Sequence, residues 1–265
     1  VPELRLDAAL AARGLAKSRT TAARLIADGL VTVDGRPTTK AALKVSDGQE
    51  ISVASSDHYV SRAAHKLITA LDAFGVDPEG RLALDVGAST GGFTQVLLER
   101  GARQVIALDV GHGQLHPSIR SDPRVVVVEG FNARSMTPDS LASASRVPER
   151  ATLAVADLSF ISLTMVLPAI LETADVGADV VALVKPQFEV GRGGIREGVV
   201  RDPGRRADAV MTVLWSAWDL GLGTAGFISS PVLGGSGNHE YLVHLTATGG
   251  RNPTEWMQQV SSSTS

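Results

Sequence analysis

Four proton-handling side chains stand at the ends of strand-like or helical segments. Asp157 closes the aliphatic run Thr152–Ala156, and Lys185 follows the run Val180–Val184 and precedes Pro186. Lys66 lies on a helical segment shortly after residue 61, and Glu240 stands just before the last strand-like segment, Tyr241–Thr246. A lysine emerging from the dry end of a strand is a candidate general base, and a carboxylate at the neighbouring strand end can orient it. An isolated lysine is more often a surface residue with its stem laid along apolar neighbours. The joint placement of two lysines and two acids is what points to proton transfer.

A second constellation is the run Asp85, Val86, Gly87, Ala88, Ser89, Thr90, Gly91, Gly92, Phe93, which leaves one aliphatic strand and enters a helix near Gly91. Glycines there let a ligand approach the backbone at the carboxyl edge of a sheet. The dinucleotide fingerprint needs Gly at 87, 89 and 92, and position 89 is Ser, which weakens a nicotinamide reading. Asp109, followed by Val110, ends the next strand and is placed to accept hydrogen bonds from an adenosine ribose. Asp85 could face the amino group of a methionine moiety. Asn132, in Glu129–Arg134, could read an adenine edge with Phe131 beside it, or simply cap a loop. Absent residues narrow the chemistry further. There is no cysteine, so neither a thiolate attack on pyrimidine C5 nor a cysteine-bound iron–sulfur cluster is available. An Asn/Asp-Pro-Pro-aromatic loop, which would favour an amine acceptor, is also missing. A hydroxyl acceptor remains, and it asks for a base and in-line alignment with a sulfonium methyl. In that scheme Lys185 is the base, Asp157 and Glu240 hold the charges, and Lys66 steadies the developing oxyanion or, when deprotonated, keeps Lys185 basic.

The elements that must position these groups follow from periodicity. From Ser61 onward helices alternate with the aliphatic strands Leu82–Val86, Val105–Asp109, Val125–Val128, Thr152–Ala156 and Asp179–Val184, which implies crossovers and a parallel sheet covered on both faces. Ala225–Ser229 and Tyr241–Thr246, joined by the loop Gly234–Asn238, read as an antiparallel pair at the sheet edge. Residues 1–53 read as a small unit of two helices, the first closing at Gly14 and the second running from Ser18 to Gly29, followed by short strands with an Asp34-Gly35 hairpin turn. Residues 54–60 read as a linker with Tyr59 as an anchor, residues 61–247 as the large domain, and the polar, Ser-rich residues 248–265 as a flexible tail with a turn around Trp256. Net charge is −3, but residues 1–66 carry +3 and the remainder −6. The chain shows no apolar run long enough to span a bilayer and no basic, apolar leader at its start, so a soluble cytoplasmic protein is expected.

These motifs resemble a known family. Lys66, Asp157, Lys185 and Glu240 look like the Lys-Asp-Lys-Glu tetrad of FtsJ-like ribose 2′-O-methyltransferases. The Asp85–Phe93 loop, the run Asp109–Leu115, the segment beginning Asp157-Leu158 and Lys185–Glu189 closely resemble the TlyA family. The resemblance covers the chain up to about Thr246. It implies a class I Rossmann-like α/β methyltransferase domain, doubly wound with an antiparallel edge strand, behind a small α+β RNA-binding domain like that of ribosomal protein S4. It further implies S-adenosylmethionine as cofactor, no metal, and methylation of cytidine 2′-hydroxyls in ribosomal RNA of the ribosomal subunits. Arg5, Arg13, Lys17, Arg19 and Lys40 would then face phosphate, contributing affinity rather than sequence choice. Phe131 departs from the family pattern, which has Thr there, and the arginine-bearing segment Gly191–Gly198 reads as a substrate loop. A non-catalytic RNA-binding factor would have no need of all four tetrad residues. Some family members were first described as haemolysins, yet a membrane-active protein would call for a spanning segment or a strongly amphipathic basic helix, and neither is present.

Overall fold

The structure, a computed structural model, describes residues 3–16, 18–27, 29–53, 58–191, 198–234 and 237–265, with only the backbone of Arg24. Lys17, the linker residues 54–57, residues 192–197 of the arginine-bearing segment and residues 235–236 of the Gly-rich loop lie outside the described residues. The chain divides into two compact units, residues 1–59 and 60–265.

In the first unit, β1 (Leu4–Arg5) leads into α1 (Leu6–Ala12), and α2 (Arg19–Ala27) is followed by β2 (Val31–Val33), β3 (Arg36–Pro37), β4 (Lys44–Val45) and β5 (Ile51–Val53). Leu6, Ala9 and Leu10 of α1 meet Ala22 and Ile26 of α2, and Val31, Val33 and Ile51 close this small core. β2 pairs antiparallel with both β3 and β5, and β1 pairs with β4. Asp34 and Gly35 both adopt positive φ between β2 and β3, the geometry a tight hairpin turn requires. The two-residue strands β1, β3 and β4 are too short to carry a period and were not legible in the sequence.

The second unit opens with α3 (Ala63–Phe74) and then alternates β6 (Leu82–Val86), α4 (Gly92–Glu99), β7 (Gln104–Asp109), α5 (Pro117–Arg120), β8 (Val125–Glu129), α6 (Pro138–Ser145), β9 (Leu153–Ala156), α7 (Leu167–Thr173), β10 (Asp179–Val184), α8 (Pro186–Glu189) and α9 (Pro203–Asp219). It finishes with β11 (Gly223–Ser229), β12 (Tyr241–Thr246) and α10 (Met257–Ser263). One seven-stranded sheet in the order β11-β12-β10-β9-β6-β7-β8 results. Strands β8, β7, β6, β9 and β10 are mutually parallel, and β12 runs antiparallel between β10 and β11. Chain order reverses between β6 and β9, a switch point that opens a crevice at the carboxyl ends of the strands. The parallel strands are largely aliphatic because helices cover both faces, and β6, β9 and β12 are buried along their whole lengths.

Where the composition reads as a flexible tail, the structure has a packed turn and helix. Asn252 and Glu255 form a capping box around a short 3-10 turn, Pro253–Trp256, which continues into α10. Trp256, Val260 and Thr264, at helical spacing, are buried. The Trp256 indole donates to Thr224 O at 3.2 Å, and the guanidinium of buried Arg206 on α9 donates to Thr264 O. The Ser-rich residues occupy the outer face, which is why composition alone misled.

Asp85 is the other unusual feature of the core. It is fully buried within β6, accepts the Thr94 hydroxyl at 2.6 Å through Oδ2, and has no hydrogen-bond partner for Oδ1 among the described residues. Burial pushes its carboxyl up to about 7; the negative charges of Asp157 and Asp109 add to the shift and the Thr94 hydroxyl opposes it.

Two outcomes are expected. Trp256→Ala should cost about 3 kcal/mol or more in urea unfolding, the scale of an emptied aromatic core site; a loss under about 0.5 kcal/mol would return the tail to a frayed state. Because the folded-state pKa of Asp85 is raised, the folded chain holds a proton that the unfolded chain releases. Its stabilising contribution is full below pH 3.8 and is lost as pH rises toward about 7. Asp85→Asn, which mimics the protonated form, should therefore stabilise the protein more at pH 8 than at pH 5. Equal shifts in melting temperature at the two pH values would contradict this.

Candidate active site

The carboxyl ends of β6, β7 and β9 surround a cavity of about 480 Å³ lined by Asp109, Val110, Asn132, Asp157 and Leu158, among others. A second cavity of about 120 Å³ joins Gly87, Ala88, Ser89, Thr90, Gly92 and Phe93 to Asp157 and Lys185. Gly87, Ser89, Asp157 and Ser159 line both, so one continuous groove runs from Asp109 to Lys185. Gly87 has a φ of 89°, and a Cβ there would stand 2.5 Å from Asp157 O. Only glycine lets the loop after β6 lie this close to the end of β9. A larger groove, about 670 Å³, lies along α9 around Trp215 and shares no lining residue with the two cavities at the strand ends.

One side of the groove is organised by Asp109. Its Oδ2 accepts Ser89 N at 2.8 Å and its Oδ1 accepts Gly111 N at 2.7 Å, which fixes the carboxylate plane and leaves further lone pairs toward the cavity. Asn132 lines the cavity, yet its Oδ1 accepts Arg134 N at 3.0 Å, so the capping role is also realised. Gly91 lines neither cavity; its φ of 95° and its approach to Leu115 show a turn requirement instead. Asp85 likewise lines neither cavity and is fully buried beneath the loop. Burial of the carboxyl is what the sequence could not reveal.

The four proton-handling residues form two ion pairs. Lys185 Nζ lies 2.6 Å from Asp157 Oδ1 and donates to Ser159 Oγ at 3.1 Å. Lys66 Nζ donates to Glu240 Oε2 at 2.5 Å, on a side chain only 2% exposed. The sheet brings the pairs together. β10 and β12 are matched through Val184 and Tyr241, so Lys185 and Glu240 stand next to each other one step beyond the last paired residues. α3, which carries Lys66, packs against β12. Each charge is thus neutralised locally where water is scarce.

Three residues of the site had no assigned role in the sequence. Ser159 is one, as a partner of Lys185; its position two after Asp157 was the available signal. Arg134 is another, in the larger cavity wall. Phe160 is the third: φ is 65°, the ring is 92% exposed, and it lies 5.3 Å from the Phe188 ring. No sequence pattern marks a residue for a left-handed conformation, which is uncommon for a bulky side chain and concentrates at functional sites.

In the first unit the basic residues are partly committed to internal contacts. Arg5 and Arg19 converge on Asp7 at 3.1 and 3.3 Å, and the Arg5 guanidinium holds the Asp7 carboxyl down at about 2. Arg13 donates to Ser46 O and Gln49 O. Lys40 is exposed. Arg5 and Arg19 remain substantially exposed around their shared acid, whereas Arg13 serves as a brace as well as a surface charge.

The FtsJ-like methyltransferase family matches residues 59–247 and the S4 domain residues 4–51. The 16S/23S rRNA (cytidine-2′-O)-methyltransferase TlyA of Mycobacterium tuberculosis is 52% identical over 244 residues, covering 91% of this chain and 89% of that protein. Hemolysin A of Brachyspira hyodysenteriae is 39% identical over 91% of this chain and 99% of its own. A solved structure of a Streptococcus thermophilus protein described as a hemolysin is 38% identical, with a TM-score of 0.76 over 99% of this chain and 96% of that one. Among the described residues no helix is long and apolar enough to cross a membrane. On this similarity, which runs through both units and all the motifs of the groove, the chain belongs to the FtsJ-like methyltransferases and, among them, to the TlyA group.

Proposed function

We propose that this protein transfers the methyl group of S-adenosylmethionine to the 2′-hydroxyl of a cytidine in ribosomal RNA. The observation that carries the reading is the pair of buried lysine–carboxylate contacts at one end of a groove whose other end presents Asp109. The residues fit the cofactor: about 480 Å³ is of nucleoside size, Asp109 suits ribose hydroxyls, and Leu108, Phe131, Ile161 and Val166 offer apolar walls for adenine. When bound, S-adenosylmethionine supplies an electrophilic methyl on sulfonium. Lys185, in its neutral form, takes the proton of the attacking hydroxyl, and Asp157 and Ser159 hold its amine in position and stabilise the ammonium that forms. Lys66, held by Glu240, places a positive charge where negative charge develops on the oxygen. Phe160 at the mouth presents a flat face on which a nucleobase can stack while its ribose enters the groove. The residue 4–51 unit, with Arg5, Arg19 and Lys40 on its surface and Lys17 outside the described residues, docks the RNA through phosphate contacts.

The two ends of the groove should separate in mutants. Lys185→Met should lower single-turnover methyl transfer to ribosomal subunits by about 100-fold or more, the range of a lost general base, with calorimetric cofactor affinity within a few-fold. Asp109→Ala should weaken cofactor binding first. Wild-type turnover in the former, or an unchanged dissociation constant in the latter, would remove that residue's assignment.

A further inference from the structure

Glu240 depends on a turn that lies outside the tetrad. The described residues of the connection from β11 to β12 are tied together: Gly234 N donates to Asn238 O at 2.8 Å, Gly237 N to Gly234 O at 3.1 Å, and Ser230 N to Glu240 O at 2.9 Å. This places the Cα of Gly234 against the Glu240 carboxylate. A Cβ on Gly234 would overlap Oε1 and stand 2.5 Å from Cδ and 3.1 Å from Cγ. Gly234 does not have a left-handed φ, so alanine fits its backbone and is excluded only by the side chain it would strike. The other carboxylate oxygen, Oε2, holds Lys66. Glu240 is therefore gripped between a lysine on one side and a bare glycine on the other.

Asn238 fixes the turn itself. Its side chain is 3% exposed; Oδ1 accepts Val200 N at 3.2 Å and Nδ2 donates to Gly198 O at 2.8 Å. Val200 O and Arg201 O in turn accept Arg206 of α9, which also holds Thr264 O. The position of the Glu240 carboxylate is thus tied through one hydrogen-bonded chain to α9 and the C-terminal helix.

We infer that Gly234 and Asn238 are positioning residues for methyl transfer: together they set the Glu240 carboxylate in register with Lys66, Gly234 by leaving its space open and Asn238 by anchoring the turn to residues 198–200. This rests on the proposed role of Glu240 but does not require either residue to touch a substrate. The strength of the effect follows from geometry, because a methyl group forced into contact with Oε1 must shift the carboxylate by the order of 1 Å, and a displacement of that size in a catalytic constellation costs on the order of 100-fold.

The test is a cycle of Gly234→Ala and Glu240→Gln in the full-length protein, read by single-turnover methyl transfer to ribosomal subunits, calorimetric cofactor affinity and urea unfolding. Gly234→Ala alone should lower turnover about 100-fold, with cofactor affinity and the apparent constant for subunits within about threefold. Added to Glu240→Gln, it should lower turnover less than about twofold further, because the carboxylate it displaces is already gone. A fall of less than about tenfold from Gly234→Ala alone, or the same full loss in both backgrounds, would overturn the inference. If Gly234→Ala does not fold, Asn238→Ser in the same cycle carries the same criteria. Should the wild-type protein transfer no methyl to subunits, the proposed function has failed by itself. The unfolding cycle then decides separately: non-additive stabilities support the coupling of Gly234 to Glu240, and additive ones contradict it.

Discussion

Two lysines brought to the dry end of an aliphatic sheet must each meet a carboxylate, and much of the groove's architecture follows from that demand. An unmatched buried ammonium would cost several kcal/mol. Lys185 and Asp157 come from neighbouring parallel strands, whose register sets their carboxyl ends side by side. Lys66 and Glu240 come from the first helix and the last strand of the large unit, 174 residues apart in sequence. That second pair cannot form until α3 and β12 are both in place, so the site is completed only by closure of the whole fold. The insertion of β12 between β10 and β11 is what sets Glu240 beside Lys185.

The same end of the sheet carries a surplus of negative charge, and the structure places it unequally. Asp109 is solvated by two backbone amides and faces the cavity. Asp157 is matched to Lys185. Asp85, between them in sheet order, is sealed in the core against Thr94, and burial pushes its carboxyl up to about 7. In the proposed reaction the three acids at adjacent strand ends would do three different things: Asp109 would bind the cofactor, Asp157 would orient the base, and Asp85 supports the loop from below. Environment rather than residue type separates the roles.

Much of this was legible in the sequence because strand ends are legible. Aliphatic runs located β6, β7, β8, β9 and β10 to within a residue or two, and whatever polar group followed each run had to lie at the sheet edge. The tetrad and the loop Gly87–Phe93 follow from that rule together with the family resemblance. What was hidden depends on depth and on backbone conformation. Nothing in the order of residues tells that Asp85 points down while Asp109 points toward the cavity. Phe160 reads as an ordinary apolar residue until its φ of 65° turns it outward. The helix of the tail was hidden for a different reason. Its Ser-rich composition outweighed a capping box at Asn252 and Glu255 and the spacing of Trp256, Val260 and Thr264, which together specify a packed helix.

The atom that receives the methyl decides the chemistry of the site. A ribose methylated on its 2′-oxygen cannot form the cyclic phosphate through which alkali cleaves RNA, so the bond on its 3′ side survives hydrolysis. Ribosomal subunits should be methylated with labelled S-adenosylmethionine and this protein, and their RNA digested with alkali and separately to nucleosides for mass spectrometry. The predicted result is label in an alkali-resistant dinucleotide and in a cytidine whose base is unmodified. Label recovered on the free base would contradict both the reaction and the role given to Lys185.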